Sequence, residues 1–298
     1  MAKAEKIIVV GSGLMGVGIA HAFVTRGFAV HVIDNNEAAL ERGKQKIAGI
    51  ITDGVKLGKV TPADAEQAAA RLTGSTALAG NGGDAALLIE TATENLAIKQ
   101  AIMRDAEAEL PAEAIIATNT SALSITEIAS ATKNPKRVAG MHFFNPVQKM
   151  KLVEIIRGLE TSPEVIERIK DWTAAIGKTS ITVNEAPGFT TSRMSAMMGN
   201  EAMYMLAEGV ASAEDIDTSL RMAFNHPMGP LELGDLTGWD TRLAVLQYLH
   251  GVLGEKFRPC PLIIKMVKSG RHGRKTGKGV YEYDAAGNKV PGSGLKVS

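Results

Sequence analysis

Two residues in the stretch GMHFFNPVQKMKLVEII, residues 140–156, carry chemistry that their surroundings do not call for. His142 and Glu154 stand twelve positions apart, each inside an apolar run, on either side of the polar break NPVQKM. A histidine titrates near neutral pH, so it can take or give a proton. A carboxylate behind an imidazole fixes its tautomer and stabilises its charged form. If the two runs pair as an antiparallel hairpin centred on Gln148, the two residues become direct cross-strand neighbours. Each is costly to bury alone; a hydrogen-bonded pair is tolerated. The plain structural alternative is a satisfied core pair, or two unrelated hairpin residues.

A second constellation opens the chain. In KIIVVGSGLMGVGIAHAFVTRGFAVHVIDNN a β-branched strand, IIVV, runs into glycines at 11, 13 and 16, then a helix, then the strand AVHVID. This order is a dinucleotide-binding βαβ unit. Gly11 makes the tight turn, Gly13 lets a pyrophosphate approach the backbone, and Gly16 allows close packing of the helix. The helix N-terminus offers unpaired N–H groups and a positive dipole end to the phosphates. Asp34, 23 residues after Gly11, ends the second strand, where a carboxylate accepts the adenosine ribose hydroxyls. It repels a 2′-phosphate, so NAD is expected over NADP. The expected cofactor loop is Gly11, Gly13, Leu14, Met15 and Gly16. The alternative is a tight glycine turn with a surface aspartate.

These elements need a scaffold. At 298 residues the chain is long for one core, so two domains are expected. A net charge of +1 gives no general attraction to nucleic acid or anionic membranes, and a single cysteine excludes an internal disulfide and cysteine-rich metal motifs. No metal site is expected. The apolar run KIIVV is too short for a signal peptide, and no stretch approaches the roughly 18 apolar residues of a membrane span. A cytoplasmic location is the expectation.

Residues 38–72 read as charged helices, with Thr61 as N-cap and Pro62 in the first turn, a helical excursion from the sheet. Lys46, Lys56 and Lys59 there are ordinary solvated lysines, with phosphate contact as the sharper reading. The α/β alternation then resumes. Glu90, Glu94, Asn119 and Ser121 fall at or just past strand C-termini, the edge along which open sheets bind ligands. Beyond Pro187 the segments are helical. The fold class is therefore α/β, a Rossmann-type dinucleotide-binding domain over 1–186 with an all-helical C-terminal domain over 187–298. Its methionines (Met194, Met197, Met198, Met203, Met205) read as core filling, with some on a dimer face. From Gly254 onward ten Lys or Arg stand against three Asp or Glu. GRKTGKG there is either a solvated basic tail or a cofactor contact.

With a nicotinamide bound, a hydride reaction needs one group to move the alcohol proton, and His142 suits it. A hydrolase using Ser121, His142 and Glu154 is less well supported, since NTSAL lacks G-x-S-x-G. A dehydrogenase of a free hydroxy acid or sugar acid, and an inactive nucleotide-binding interaction protein, stay as alternatives.

Nearly the whole chain resembles the 3-hydroxyacyl-CoA dehydrogenase family, including the bacterial 3-hydroxybutyryl-CoA dehydrogenases. The resemblance rests on GSGLMGVGIA, ETATENLAIK, ATNTSALSITEIA, GMHFFNPVQKMKLVEII, GKTSITVNEAPGF, FNHPMGPLELGD and GRKTGKGVYEY. It implies an NAD-dependent oxidation of an (S)-3-hydroxyacyl-CoA to the 3-ketoacyl-CoA, and a homodimer formed through the helical domain. It also implies His142 as general base, Glu154 as its orienting partner, and Ser121 as a hydrogen-bond partner of the reacting oxygen. Asn145 falls near the nicotinamide, and Glu94, Lys99 and Lys275 match positions lining the cofactor; Asn119 joins this set. Lys56 matches the region that contacts CoA. One departure is Ser192, where the family usually has the asparagine of PGF-x-x-N-R. Another is Gln148 for the usual proline.

Overall fold

The computed structural model describes residues 5–297, and the chain divides into two compact units, one ending at Ala186 and the other beginning at Pro187. In the first, β1 (Lys6–Val10), α1 (Leu14–Val24) and β2 (Ala29–Ile33) form the expected βαβ unit. There follow α2 (Glu37–Lys56), α3 (Pro62–Ala70), β3 (Leu72–Ser75), β4 (Ala85–Glu90), α4 (Leu96–Glu109), β5 (Ile115–Thr118) and α5 (Ile125–Ala129). The unit closes with β6 (Val138–Phe143), β7 (Leu152–Arg157), α6 (Pro163–Ala175) and β8 (Thr179–Asn184).

The eight strands make one sheet in the order β3-β2-β1-β4-β5-β6-β7-β8. All neighbours are parallel except β6 and β7, which are antiparallel. The first six strands follow the dinucleotide-binding order, whose reversal point lies between β1 and β4. β1 shows why the sheet needs helices on both faces. Ile7 and Val9 belong to the core layer that includes α1 and α6, and Ile8 to the layer that includes α4 and α5.

Helix starts are written locally. Asn36, Thr61, Asn95, Ser124 and Ser162 each accept a hydrogen bond from a first-turn amide, and Pro62 and Pro163 occupy first-turn positions where no N–H is needed. The excursion over 38–72 consists of α2 and α3, but it returns to the sheet as the edge strand β3, which the sequence pattern does not announce. LTGS is four residues with a glycine and no apolar alternation. What seats it is tertiary: the two ring nitrogens of His31 lie 2.8 Å from the hydroxyls of Thr73 and Ser75.

The second unit comprises α7 (Thr191–Ala207), α8 (Ala213–Ala223), α9 (Pro230–Thr237), α10 (Trp239–Leu253) and α11 (Pro261–Lys268). Met203 is buried in its core, Met197 and Met205 pack at the margin, and Met194 is exposed. Asp235 on α9 ties the C-terminal segment to the helices. One oxygen accepts from Trp239 Nε1 and the Val280 amide, the other from the Tyr281 amide and the Tyr283 hydroxyl, at 2.6–2.9 Å. Among the described residues no helix is long and apolar enough to cross a membrane.

Candidate active site

At the β1–α1 turn, Gly11 has φ +100°, and a Cβ there would come within 2.9 Å of Thr91 Oγ1. A Cβ on Gly16 would lie 1.8 Å from the Gly11 carbonyl oxygen, so the close approach it permits is to the loop itself. Gly13 differs: a Cβ there would meet nothing within 4 Å. Its backbone faces open space at the start of α1, whose N-cap is Gly13 and carries no side-chain cap. Four first-turn amides are thus free of side-chain partners from the cap, which fits a pyrophosphate. Leu14 is exposed and Met15 half-buried. Asp34 lies just past β2. Its Oδ2 accepts the Ser12 amide at 2.9 Å and the Ser12 hydroxyl at 2.6 Å, and Oδ1 accepts the Asn36 amide at 3.0 Å. Burial works against the Asp34 charge, but the Ser12 hydroxyl and amide, the Asn36 amide and the Arg42 guanidinium outweigh it and hold the carboxyl below its usual range. The residues present fit a dinucleotide.

The hairpin has the expected register: Gly140 opposes Ile156, His142 opposes Glu154, and Phe143 opposes Val153. His142 Nδ1 and Glu154 Oε2 are 2.8 Å apart, in a buried pair. With Nδ1 turned to the carboxylate, proton exchange with a substrate falls to Nε2.

Beside it, the loop after β5 is built on carboxylates. Asn119 Oδ1 accepts the Phe143 amide at 2.8 Å, tying this loop to the residue after His142. Glu94 Oε1 accepts from the Thr120 hydroxyl at 2.5 Å and from the Ser121 amide and hydroxyl at 2.9 and 3.3 Å. Burial raises the Glu94 carboxyl, but Thr120, the Lys99 charge and the Ser121 amide prevail and hold it below its ordinary value. Lys99 itself is 1% exposed, 2.8 Å from Oε2 of the fully buried Glu90 and 3.4 Å from Glu94. Glu90 also accepts the Thr118 hydroxyl and the Ala92 amide, both at 2.6 Å.

The structure therefore brings together Asp34 with the glycine loop, His142 with Glu154, and Ser121 with Glu94, Lys99 and Asn119. Asn145, exposed, follows β6 in the loop to β7. Lys56 is a solvent-exposed lysine at the end of α2, 3.0 Å from Asp53. Ser192 and Lys275 belong to the helical unit: Ser192 lies in the first turn of α7, and Lys275 is paired with Asp240 at 2.7 Å. Sequence reasoning misses Ser12 and the pairing of Glu90 with Lys99. The signal for the second is a carboxylate ending the wholly apolar strand AALLI, which demands a buried partner.

Comparison with known proteins agrees with this geometry. The model of the 3-hydroxyacyl-CoA dehydrogenase NAD binding domain matches residues 6–186, and that of the family's C-terminal domain matches residues 188–283. The chain is 41% identical over 283 residues to a 3-hydroxybutyryl-CoA dehydrogenase of Bradyrhizobium diazoefficiens, covering 95% of this chain and 96% of that one. It is 39% identical over 297 residues to a 3-hydroxyadipyl-CoA dehydrogenase of Escherichia coli, covering 98% of this chain and 62% of that relative. The crystal structure of an (S)-3-hydroxybutyryl-CoA dehydrogenase from Ralstonia eutropha superposes with a TM-score of 0.91 at 41% identity, covering 95% of this chain and 100% of that one. Glycine loop, strand-end carboxylate and buried histidine–glutamate pair thus occur in a chain that belongs to the 3-hydroxyacyl-CoA dehydrogenase family, an NAD-dependent oxidoreductase of (S)-3-hydroxyacyl-CoA.

Proposed function

We propose that the preferred substrate is a short-chain thioester of the size of (S)-3-hydroxybutyryl-CoA, oxidised reversibly to the 3-ketoacyl-CoA, with His142 as the general base. The observation that carries the residue assignment is the 2.8 Å contact between His142 Nδ1 and Glu154 Oε2. Bound NAD supplies the hydride acceptor. His142 takes the alcohol proton at Nε2 as the C3–H bond breaks, and Glu154 stabilises the imidazolium that results. Ser121 hydrogen-bonds the reacting oxygen, and Glu94 and Asn119 hold its loop. The named substrates of the Bradyrhizobium and Ralstonia relatives support the short chain; the Escherichia relative, named for a dicarboxylic acyl group, defines the competing substrate to test.

Gly11, Gly13, Leu14, Met15, Gly16 and Asp34 bind NAD in this reading. Roles for Glu94, Lys99, Asn145 and Lys275 at the cofactor, and for Ser192 and Lys56 with the substrate, rest on the sequence resemblance. The same resemblance supports a homodimer formed through the helical unit. Purified protein should oxidise NADH with acetoacetyl-CoA and reduce NAD with (S)-3-hydroxybutyryl-CoA, faster than with longer or dicarboxylic thioesters. Failure to turn over any short- or medium-chain CoA ester would sink the assignment, and faster turnover of a dicarboxylic ester would replace the substrate.

A further inference from the structure

Asp34 is less available than a lone carboxylate at a strand end. A carboxylate offers about four lone-pair directions. Ser12 uses two of them on Oδ2, through its amide at 2.9 Å and its hydroxyl at 2.6 Å, and the Asn36 amide uses one on Oδ1 at 3.0 Å. Ser12 is only 7% exposed, so its hydroxyl has no ready exchange with water. Its side chain is also hemmed in by α2, since a Cβ on Gly43 would come within 2.7 Å of Ser12 Cβ.

We propose that Ser12 is a specificity-determining residue: it locks the Asp34 carboxylate in an orientation that accepts a ribose hydroxyl through Oδ1 and keeps it from turning aside for a 2′-phosphate. Accommodating that phosphate means swinging Asp34 away from the ribose. The swing breaks both bonds from Ser12 and leaves a buried hydroxyl without an acceptor, a cost that falls on NADP and not on NAD. Ser12 acts only through Asp34, which makes it a positioning residue for the dinucleotide and not a contact to it.

The inference deepens the reading of the NAD site, so its test uses nucleotide binding and needs no acyl substrate. NADH and NADPH fluorescence titrations would be run on the full-length wild type, Ser12→Ala, Asp34→Ala and the double variant. Ser12→Ala should lower the NADH-over-NADPH affinity ratio roughly 10-fold, the value of one hydrogen bond to a charged group. In the Asp34→Ala background the same change should leave the ratio unmoved, because nothing is left to lock. Ser12→Gly removes the same hydroxyl and must shift the ratio the same way. A ratio within about 2-fold of wild type in Ser12→Ala and Ser12→Gly overturns the proposal, as does an equal fall in both backgrounds. Wild-type protein that binds neither nucleotide overturns both it and the dinucleotide site. The ratio compares two ligands on one protein, so a general loss of folded material does not imitate the effect.

Discussion

Glu154 faces His142 directly across the antiparallel β6–β7 pair, with Oε2 2.8 Å from Nδ1. Both strands are almost wholly buried, and Glu154 itself has no exposure. An ionised carboxylate in that setting is stable only with partners, and an imidazole that gains a proton there gains a partner as well. In the proposed mechanism the pair acts as one unit for proton transfer.

Replacing His142 with Ala should lower kcat about 10²- to 10⁴-fold, while NAD affinity changes little, because the dinucleotide loop lies on other strands. Glu154→Gln keeps the shape and loses the charge, and should lower kcat about 10- to 1,000-fold. The double variant should lose less than the product of the two. Steady-state kinetics of all three decide it. Near wild-type kcat in His142→Ala, with intact fold and cofactor binding, would make His142 a core residue.

This hairpin is legible in the sequence because a polar break between two apolar runs fixes a centre, and the two-residue period then fixes which side chains meet. The βαβ unit is legible because glycines, apolar strands and a terminal acid each answer a local steric or electrostatic need. β3 is not, because LTGS is held by the edge of β2 and the His31 ring, partners 42 or more residues away. Nor is the role of Lys99. The resemblance matches it to a position lining the cofactor, and only the arrival of Glu90 at the end of β4 explains its burial.

That buried pair gives a stability prediction. Lys99→Met removes the cation and leaves Glu90 charged inside the sheet, so unfolding free energy should fall by about 3–5 kcal/mol. Adding Glu90→Leu should recover part of the loss, since the uncompensated charge is then gone. Urea denaturation of the single and double variants measures both. A Lys99→Met protein as stable as wild type would show that Thr118 and the Ala92 amide satisfy Glu90 without the lysine.

Glu94 sets an acid-side dependence. Its carboxyl is held below the ordinary value of 4.5: burial opposes the charge, and Thr120, Lys99 and Ser121 outweigh it. A depressed carboxyl binds fewer protons in the folded state, so its stabilisation is present above the unfolded value and is lost as pH falls through the lower folded value. Wild type should therefore lose stability below about pH 4.5 faster than Glu94→Gln does. Denaturant midpoints of the two proteins, taken between about pH 5 and pH 3, should converge on acidification. Parallel curves would show that Glu94 does not contribute to the acid limb.

The proposed dimer has a candidate surface. Met194, Met222 and Phe224 are exposed on the helical unit, Phe224 at 68%. In the proposed homodimer these side chains are the candidates to be covered, since an association face is a contiguous apolar patch. Phe224→Glu should shift the light-scattering mass from dimer to monomer, and a chain ending after residue 186 should be monomeric or poorly soluble. A stable dimer of that shortened chain would move the interface to the sheet unit.

The last prediction sets two effects of opposite sign at one residue. Burial raises the Asp235 carboxyl and makes its charge costly, while the Tyr281 and Val280 amides, Trp239 and Tyr283 offset this only in part. On charge alone, Asp235→Asn should stabilise the helical unit. Hydrogen-bond capacity says the opposite. Each carboxylate oxygen accepts two donors, from Trp239 and Val280 on one side and Tyr281 and Tyr283 on the other. An asparagine has one acceptor oxygen, and its NH₂ would point two hydrogens at two donors. Of those, the Tyr283 hydroxyl can rotate, but the backbone amide or the indole N–H cannot. One buried donor is then left unmade and a second weakened, at about 1–3 kcal/mol for each group fully orphaned. The loss should win, with Asp235→Asn less stable than wild type by about 2 kcal/mol in urea titration at neutral pH. If the variant proves more stable, desolvation of the charge outweighs the lost hydrogen bonds, and the four donors hold the C-terminal segment at the expense of stability.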